Sequence, residues 1–288
     1  MKFNYRNDER VTTALLLAAG TGSRLYPLTE DAPKCLTIVN EVSILERLLI
    51  NLKLNGFKRL VVVTGHLEDH IRNYLGNQVG DIKIDYIFSP LYKTTNNIYS
   101  LWMARTIINE PFLLFESDLI FDESLLDAMR YPDRIAVAKM QPWMNGTCVT
   151  INTSHNVKAF FAGDTESPGE LRYKTVNIYS FSLSSWRRII KKLDTRILDG
   201  KVNDYYETIF AEMVEDGSLS FQNVSFDGKL WYEIDTLADL TKAEKLFSSS
   251  DKIALKAVTP APGRPLDAEL LNCKRVPNGT AEALHVTA

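Results

Sequence analysis

The first half of the chain alternates short apolar runs with amphipathic segments. Residues 15–19 are apolar, end at a glycine and are too few for an isolated helix, which predicts a buried strand. Ser43 followed by Glu46 predicts a capping box ahead of leucines at helical spacing, and Gly56 predicts the end of that helix. The β-branched run 60–63 predicts the next strand. Strand, helix and strand in this order indicate a right-handed βαβ unit in a largely parallel sheet.

Further periodic segments continue to about residue 247. Strands are predicted at 82–88, 112–115, 135–138, 148–151, 157–161, 175–181 and 229–235, and helices after 94–97, around 186–193, at 205–214 and from 236. The pattern is typical of an α/β fold, a Rossmann-like and mostly parallel mixed sheet flanked by helices, with a small β-rich insertion in the second half that we expect to bind an acceptor. We expect one domain at 12–247. A serine run and a proline-rich stretch predict a linker and tail over 248–288.

The composition excludes several classes of function. Of the 288 residues, 45% are hydrophobic and 24% are charged, and the net charge of -3 with a pI near 5.9 offers no basic surface for nucleic acid. Three widely spaced cysteines without a Cys-x-x-Cys pair indicate neither a disulfide framework nor a zinc site. No apolar stretch has membrane-spanning length, and the first ten residues are polar. We therefore expect a cytoplasmic protein that binds neither nucleic acid nor membrane.

A glycine turn follows the first predicted strand. Gly20 and Gly22 leave backbone N–H groups unobstructed by a Cβ, which suits a bound phosphate chain. The turn is not a P-loop, because Gly22 is followed by Ser-Arg rather than Lys-Ser/Thr, and Leu25 stands where a dinucleotide fingerprint needs its third glycine. Arg24 and Lys34 follow at a distance that suits the phosphates of a nucleotide.

Acidic residues follow two of the predicted strands. Asp118 comes directly after the apolar strand 112–115, and Asp235 ends the strand 229–235. Because ligands of parallel sheets bind at the carboxyl ends of strands, we expect these acids on the same edge as Gly20 and Gly65. Hard oxygen ligands at that edge predict a magnesium site, and fixed positive charge beside it predicts chemistry on phosphate.

The motif around the glycine turn resembles the nucleotidyltransferases that join a nucleoside triphosphate to a phosphorylated small molecule. Their signature is LAAG-x-G-[ST]-R-x-x-P-L-T followed by P-K, and the chain has LAAGTGSRLYPLT at 17–29 and PK at 33–34. The resemblance spans about 13–247. NNIYSL at 96–101, ESD at 116–118 and WYEID at 231–235 resemble, within that family, the bacterial cell-surface phosphocholine cytidylyltransferases and the 2-aminoethylphosphonate enzymes.

The resemblance implies roles for individual residues. It implies that Asp118 and Asp235 bind Mg²⁺, that Arg24 and Lys34 contact the phosphates, and, more loosely, that Lys174 holds the acceptor phosphate. It implies a nucleotide-binding set consisting of Ala18, Ala19, Gly20, Gly22, Ser23, Gly65, Asn97 and Ser100. Alternatives stay open: Asn97 as a helix N-cap, Lys174 as a solvated side chain, and Glu233 as a neighbour of the metal ligands.

Aromatic residues in the second half suggest how an acceptor is bound. We expect a small phosphate or phosphonate with an amine or quaternary ammonium, bound by Trp143, Tyr179, Trp231 and Glu233, with the acids Asp204 and Glu207 nearby in sequence. The alternative for each aromatic is a place in the core. The predicted function is magnesium-dependent cytidylyl transfer from CTP to that acceptor. A sugar-1-phosphate nucleotidyltransferase and a catalytically silent nucleotide-binding regulator are the alternatives, and a homodimer or a fusion to a further enzyme domain stays open.

Overall fold

The computed structural model describes residues 10–142, 144–162 and 170–247, all of which belong to one compact unit. The predicted linker and tail, 248–288, lies outside the described residues, and so does Trp143. Their assignments stay predictions. In the described part of the chain, no helix is both long enough and apolar enough to cross a membrane.

Strands and helices alternate through most of the described chain. The strands are β1 Thr13–Ala18, β2 Ile38–Val39, β3 Val42–Ser43, β4 Arg59–Thr64, β5 Gln78–Val79, β6 Ile82–Phe88, β7 Phe112–Glu116, β8 Leu119–Phe121, β9 Arg134–Lys139, β10 Cys148–Ile151, β11 Val157–Phe161, β12 Tyr173–Phe181, β13 Gln222–Ser225 and β14 Trp231–Glu233. The helices are α1 Ile44–Leu54, α2 Glu68–Leu75, α3 Asn97–Met103, α4 Leu125–Met129, α5 Leu183–Leu198, α6 Tyr206–Glu215 and α7 Leu237–Leu246. Short 3₁₀ turns occupy Ser23–Leu25, Lys34–Leu36 and Ala104–Thr106.

Four parallel strands form the centre of the main sheet. β1 pairs in parallel with β4 on one side and β7 on the other, and β6 continues the parallel run beyond β4. The residues of β1 are all buried, and those of β4 nearly so, because helices cover both faces. The parallel sheet predicted from the apolar runs is confirmed. The carboxyl ends of β1, β4 and β7 lie side by side, which positions the site.

The β-rich second half joins the same sheet. β12 pairs antiparallel with β7 and also with β9 and β10. β11 pairs with β10, β13 with β9, and β5 with β6 at the far edge, which completes the ten strands of this sheet. The register between β12 and β9 shifts between Thr175 and Tyr179, and Asn177 inside the shift has φ +58°. Such a bulge redirects side chains from the regular alternation of a strand. A separate pair, β14 with β8, aligns Glu233 of β14 with Leu119, three residues after β7 ends at Glu116.

Caps at the helix ends follow the sequence in most places. Ser43 Oγ accepts from Glu46 N at the start of α1, but the Glu46 side chain accepts instead from Tyr74, so only half of the predicted capping box forms. Thr236 and Asp239 form a complete capping box at the start of α7. These caps fix the chain direction where helices leave the edge that carries the site.

Candidate active site

A cleft of about 300 Å³ opens at the carboxyl ends of β1 and β7. Several parts of the chain enclose it: the glycine turn, Lys34, the start of α3 with the loop before it, the end of β7, and the residues just before α6 and α7. Its lining is Leu17, Ala19, Gly20, Gly22, Ser23, Arg24, Lys34, Tyr92, Thr95, Asn96, Asn97, Ser100, Glu116, Ser117, Asp118, Tyr205 and Asp235. Most of the predicted nucleotide, phosphate and metal residues are therefore brought together in one cavity.

The glycine turn needs two of its glycines for different reasons. Gly22 has φ +63°, and a Cβ there would lie 3.0 Å from the Thr29 side chain and 3.1 Å from Lys34 Cβ. Thr29 Oγ1 donates to Gly22 O at 2.9 Å and holds the turn closed. Gly20 has open space where a Cβ would stand, so its backbone faces the cavity directly. The turn presents bare backbone to a ligand, as the sequence predicts.

Gly65, predicted to contact nucleotide, supports the turn from the next strand. A Cβ at Gly65 would lie 2.6 Å from Ala19 O and 2.8 Å from the Tyr92 side chain. The neighbouring amide His66 N donates to the same Ala19 O at 3.1 Å. Gly65 is not itself in the lining, and neither is Ala18, which is buried at the end of the neighbouring strand β1. Both residues lie behind the cleft surface and shape the turn.

Lys34 lies between two carboxylates in the cleft. Its Nζ donates to Asp118 Oδ2 and to Asp235 Oδ1, both at 2.7 Å, and Arg24 Nη2 donates to the same Asp235 oxygen at 2.7 Å. Burial by itself would lower the pKa of Lys34, but attraction to Asp118 and Asp235 outweighs it and raises the pKa above the ordinary value. Lys34 is therefore a fixed cation, whereas the Arg24 side chain is 68% exposed and is held only by its contact with Asp235.

A second set of carboxylates adjoins Lys34. One oxygen each from Glu116, Asp118 and Glu233 lies within 4.8 Å of the others. Asp118 Oδ1 is buried and has no hydrogen-bond partner among the described residues. Clustered hard oxygen donors with one acceptor unused fit a divalent cation such as Mg²⁺. That Asp118 and Asp235 are its ligands stays a prediction, and Glu233 joins this cluster rather than an aromatic one.

Asn97 connects the cleft to the start of α6. The N-cap of α3 is Asn96, whose side chain accepts from Asn97 N at 2.8 Å, so the alternative of Asn97 as an N-cap is wrong. Asn97 Nδ2 instead donates to Glu116 Oε1 at 3.0 Å, and its Oδ1 accepts from Tyr206 N at 3.1 Å. Tyr206 Oη also donates to Glu116 Oε1 at 2.8 Å. The amide and the phenol hold the Glu116 carboxyl group in place.

Lys174 is buried beside the acids rather than solvated. Its Nζ donates to Thr175 O at 2.8 Å and lies 3.4 Å from Glu233 Oε2, and the side chain is 5% exposed. Gly146 leaves room for it, since a Cβ there would lie 3.3 Å from Lys174 Nζ. The alternative of a solvated lysine is wrong. Its predicted contact with an acceptor phosphate stays a prediction, because Lys174 is not in the cleft lining.

The described aromatics predicted to surround an acceptor lie elsewhere. Tyr179 is fully buried, with its ring centroid 5.2 Å from that of Phe210 and 5.8 Å from that of Tyr206, so the prediction that it contacts an acceptor is wrong. Trp231 packs partly buried against the core and is absent from the lining. Ser100, by contrast, lines the cleft as predicted.

Several site residues had no recognisable sequence signal. Tyr92 and Tyr205 line the cleft, and the Tyr205 side chain is 60% exposed there. Asn177 enters the acidic cluster only because its positive φ turns it out of the strand alternation, and Nδ2 lies 3.4 Å from oxygens of both Glu116 and Glu233. The only clue in the sequence was that Asn177 is a polar residue within the predicted strand 175–181.

Two of the acids have strongly raised pKa values. Desolvation, with repulsion from Asp118, Glu207 and Glu233, raises the pKa of Glu116 to about 8. Desolvation also raises the pKa of Glu207 to about 7, with repulsion from Glu233 adding to the effect and attraction to Lys174 opposing it. Carboxyl groups in this state favour a bound cation or a bound proton over the empty, fully ionised site.

Comparison with known proteins gives a family match for about half of the chain. Residues 13–160 match the family described as nucleotidyl transferase, and this segment includes the glycine turn, Lys34 and Asp118. Glu207, Glu233 and Asp235 lie beyond the matched segment.

Individual relatives extend the similarity. One is the CMP-5'-(3-aminopropyl)phosphonate synthase of Streptomyces rubellomurinus, 30% identical over 82% of this chain; the chain spans 38% of that protein's length. Another is the CTP:phosphoglutamine cytidylyltransferase of Campylobacter jejuni, 25% identical over 79% of this chain and 97% of the relative. The solved CTP:phosphocholine cytidylyltransferase of Streptococcus pneumoniae superimposes with a TM-score of 0.67 at 21% identity, over 83% of this chain and all of that one, which shows a shared fold.

Proposed function

Since the chain belongs to the nucleotidyl transferase family, we propose that it transfers a cytidylyl group from CTP to a small phosphorylated or phosphonate amine. In this reaction an oxygen of the acceptor phosphate or phosphonate bonds to the α-phosphorus of CTP. The bond from that phosphorus to the β-phosphate oxygen breaks, and pyrophosphate leaves. The choice of CTP and of an amine acceptor rests on similarity to the two curated relatives, which are a CMP-aminopropylphosphonate synthase and a phosphoglutamine cytidylyltransferase.

The observation that carries the proposal is the position of Lys34. Two anions must approach each other in this reaction, so a cation fixed beside the reacting phosphorus lowers the barrier. Lys34 Nζ lies 2.7 Å from oxygens of both Asp118 and Asp235, and it lines the same cleft as the glycine turn and Arg24. A ligand phosphate placed on the turn would meet Lys34, and Arg24 would close over it.

Magnesium fits the acids around Lys34. Asp118 and Asp235 would hold the ion, and Glu116 and Glu233 are close enough to contribute oxygens. Bound there, Mg²⁺ would neutralise phosphate charge and polarise the α-phosphate. The chain's own residues have separate tasks: backbone N–H groups of the turn bind phosphate oxygens, Arg24 orients the leaving pyrophosphate, and Asn97 with Ser100 contact the nucleoside.

The proposal is tested by measuring pyrophosphate release. The purified protein with Mg²⁺ is incubated with each of CTP, UTP, ATP and dTTP, paired with phosphocholine, 2-aminoethylphosphonate, 3-aminopropylphosphonate or glucose 1-phosphate. We expect release with CTP and an amine acceptor and none after EDTA. Asp118→Asn should abolish it, whereas Asp81→Asn, the same change on an 85% exposed side chain, should not. A preference for glucose 1-phosphate would favour the sugar-nucleotide alternative, and no release with any pair would leave a nucleotide-binding regulator.

A further inference from the structure

The glycine turn belongs to a longer irregular segment that follows β1. We call residues 20–32 the turn segment. Its regular structure is one short 3₁₀ turn, and its own hydrogen bonds are local: Leu25 N donates to Gly22 O at 2.9 Å and Glu30 N to Pro27 O at 3.1 Å. Local bonds of this kind fix the shape of a segment but not its position on the sheet. Contacts from elsewhere in the chain must supply that position.

His66, two residues after β4, contacts the turn segment near both of its ends. Its backbone N donates to Ala19 O at 3.1 Å, directly before the segment, and its Nε2 lies 3.2 Å from Thr29 O. A carbonyl oxygen can only accept, so Nε2 carries the hydrogen and donates it to Thr29. Among the described residues, the other hydrogen bond that reaches the segment from outside joins Arg24 to Asp235, and the Arg24 side chain is exposed.

Thr29 connects His66 to the glycine turn. Thr29 is 4% exposed, and its Oγ1 donates to Gly22 O at 2.9 Å. The two residues are also in tight contact, because a Cβ at Gly22 would lie 3.0 Å from Thr29 Cγ2. Close packing of this kind transmits a displacement from one residue to the next. A shift of Thr29 therefore moves Gly22, whose backbone lines the cleft.

We propose that His66 is a positioning residue for phosphate binding, and that it acts through Thr29 to hold the glycine turn in the arrangement that receives a polyphosphate chain. The inference rests on the proposed function, since it concerns the phosphates of the same nucleotide. His66 is not in the lining of the cleft, so its effect on a ligand there is transmitted by its neighbours. A turn held in its binding arrangement before the ligand arrives loses less conformational freedom on binding.

The experiment uses two variants that carry the same amide group at different reach. In His66→Gln the amide nitrogen is as many bonds from the backbone as Nε2 of histidine, so the bond to Thr29 O can form. In His66→Asn the side chain is one carbon shorter and the bond is lost. The matched control is His70→Asn on α2, a histidine outside the cleft lining and outside the contacts described above. Thr29→Val, alone and combined with His66→Asn, removes the bond to Gly22 and keeps the branched shape.

Calorimetric titration with three probes gives dissociation constants without turnover. The probes are the magnesium complex of inorganic tripolyphosphate, CTP with Mg²⁺, and cytidine, which has no phosphate. Pyrophosphate release with 2-aminoethylphosphonate gives KM for CTP and kcat, and a thermal melt of each variant establishes that it is folded.

We expect His66→Asn to weaken the binding of tripolyphosphate and of CTP by about tenfold, on the scale of one hydrogen bond, and to leave cytidine binding within about twofold. KM for CTP should rise by a similar factor, and kcat should change much less. His66→Gln should recover most of the affinity, and His70→Asn should match the wild type. In the Thr29→Val background, adding His66→Asn should weaken binding by less than about twofold, because the connection to Gly22 is already lost.

Each contrary result identifies a different error. Unchanged polyphosphate binding in His66→Asn, or an equal loss of cytidine binding, would overturn the inference, and so would a glutamine variant no better than the asparagine variant. An undiminished effect of His66→Asn in the Thr29→Val background would show that His66 does not act through Thr29.

If His66→Asn does not fold, Thr29→Val must by itself weaken tripolyphosphate binding and spare cytidine binding, or the inference is wrong. A wild type that binds neither tripolyphosphate nor CTP would overturn both the inference and the proposed function. Polyphosphate binding that depends on His66 as expected, in a protein that releases no pyrophosphate from any triphosphate, would support the inference and refute the proposed transfer.

Discussion

Replacing Glu207 by glutamine should make the protein more stable at pH 8. Glutamine keeps the size of the side chain and removes the ionisable group, whose folded-state pKa is about 7 against an ordinary value of 4.5. Below pH 4.5 the group is protonated in both states and costs nothing. Between pH 4.5 and 7 the unfolded chain releases a proton that the folded protein retains, so stability falls as the pH rises. Above pH 7 the loss is complete.

The size of the effect follows from the two pKa values. At 1.36 kcal/mol for each pH unit that separates them, ionised Glu207 costs about 3 kcal/mol in the folded state at pH 8. For a domain of this size that corresponds to roughly 6 to 12 °C in Tm. This free-energy cost is not reduced by solvent screening, because the Glu207 side chain is buried. At pH 5 only a small part of the cost has developed, so the variant and the wild type should melt at similar temperatures.

Calorimetric melts at pH 5, 6, 7 and 8, without nucleotide or metal, measure this directly. Only the difference between variant and wild type is compared, because pH effects common to both proteins cancel in it. Glu215→Gln removes an exposed carboxylate from the same helix and should show no difference that grows with pH. A Glu207→Gln difference that is constant across the range, or a wild type more stable than the variant at pH 8, would refute the argument that the carboxyl group is buried without compensation.

Three further outcomes are expected. Asp118→Asn should lower turnover at least about 100-fold with Tm nearly unchanged, as measured by pyrophosphate release beside Asp81→Asn; activity within a few fold of wild type would contradict its role as a metal ligand. Lys34→Ala should lower kcat by about 100-fold, or about 3 kcal/mol, and change the CTP dissociation constant much less; the reverse pattern would show that Lys34 only binds. Gly65→Ala should lower Tm and weaken CTP binding, since its Cβ would stand 2.6 Å from Ala19 O; unchanged binding would show that the turn adapts.

The parts of the structure that sequence predicts well are those governed by local pattern. The apolar runs that became β1, β4 and β7 need no partner to be recognised, and the cap at Thr236 is a local hydrogen-bond pattern. The edge of the sheet that carries Asp118 and Asp235 follows from the rule for parallel strands. The ion pairs of Lys34 with both acids were not predicted, because a sequence does not show which charges meet when no ligand is present.

The parts that sequence misses depend on conformations without a sequence signature. The positive φ of Asn177 and the register shift around it bring the Asn177 side-chain amide close to Glu116 and Glu233. Alternation alone would have assigned Asn177 to one face of a regular strand. The error at Tyr179 has a different cause: β12 is buried along nearly its whole length, and the Tyr179 ring packs against Phe210 in the core. Strands buried on both faces carry no alternation from which to choose a face.

The long sequence separation within the site has a consequence for how the protein is made. Lys34 pairs with a carboxylate 201 residues later in the chain, and Arg24 with the same one 211 residues later. A chain still on the ribosome that has been synthesised only as far as β13 therefore already contains its phosphate-binding turn and both cations, but not Asp235. Until β14 pairs with β8, Asp118 is in place beside Lys34 but Asp235 is not. The two cations then lack one of the two carboxylates that neutralise them in the folded protein. Synthesis of β14 and of Asp235 just after it then supplies the second carboxylate that balances Lys34 and Arg24.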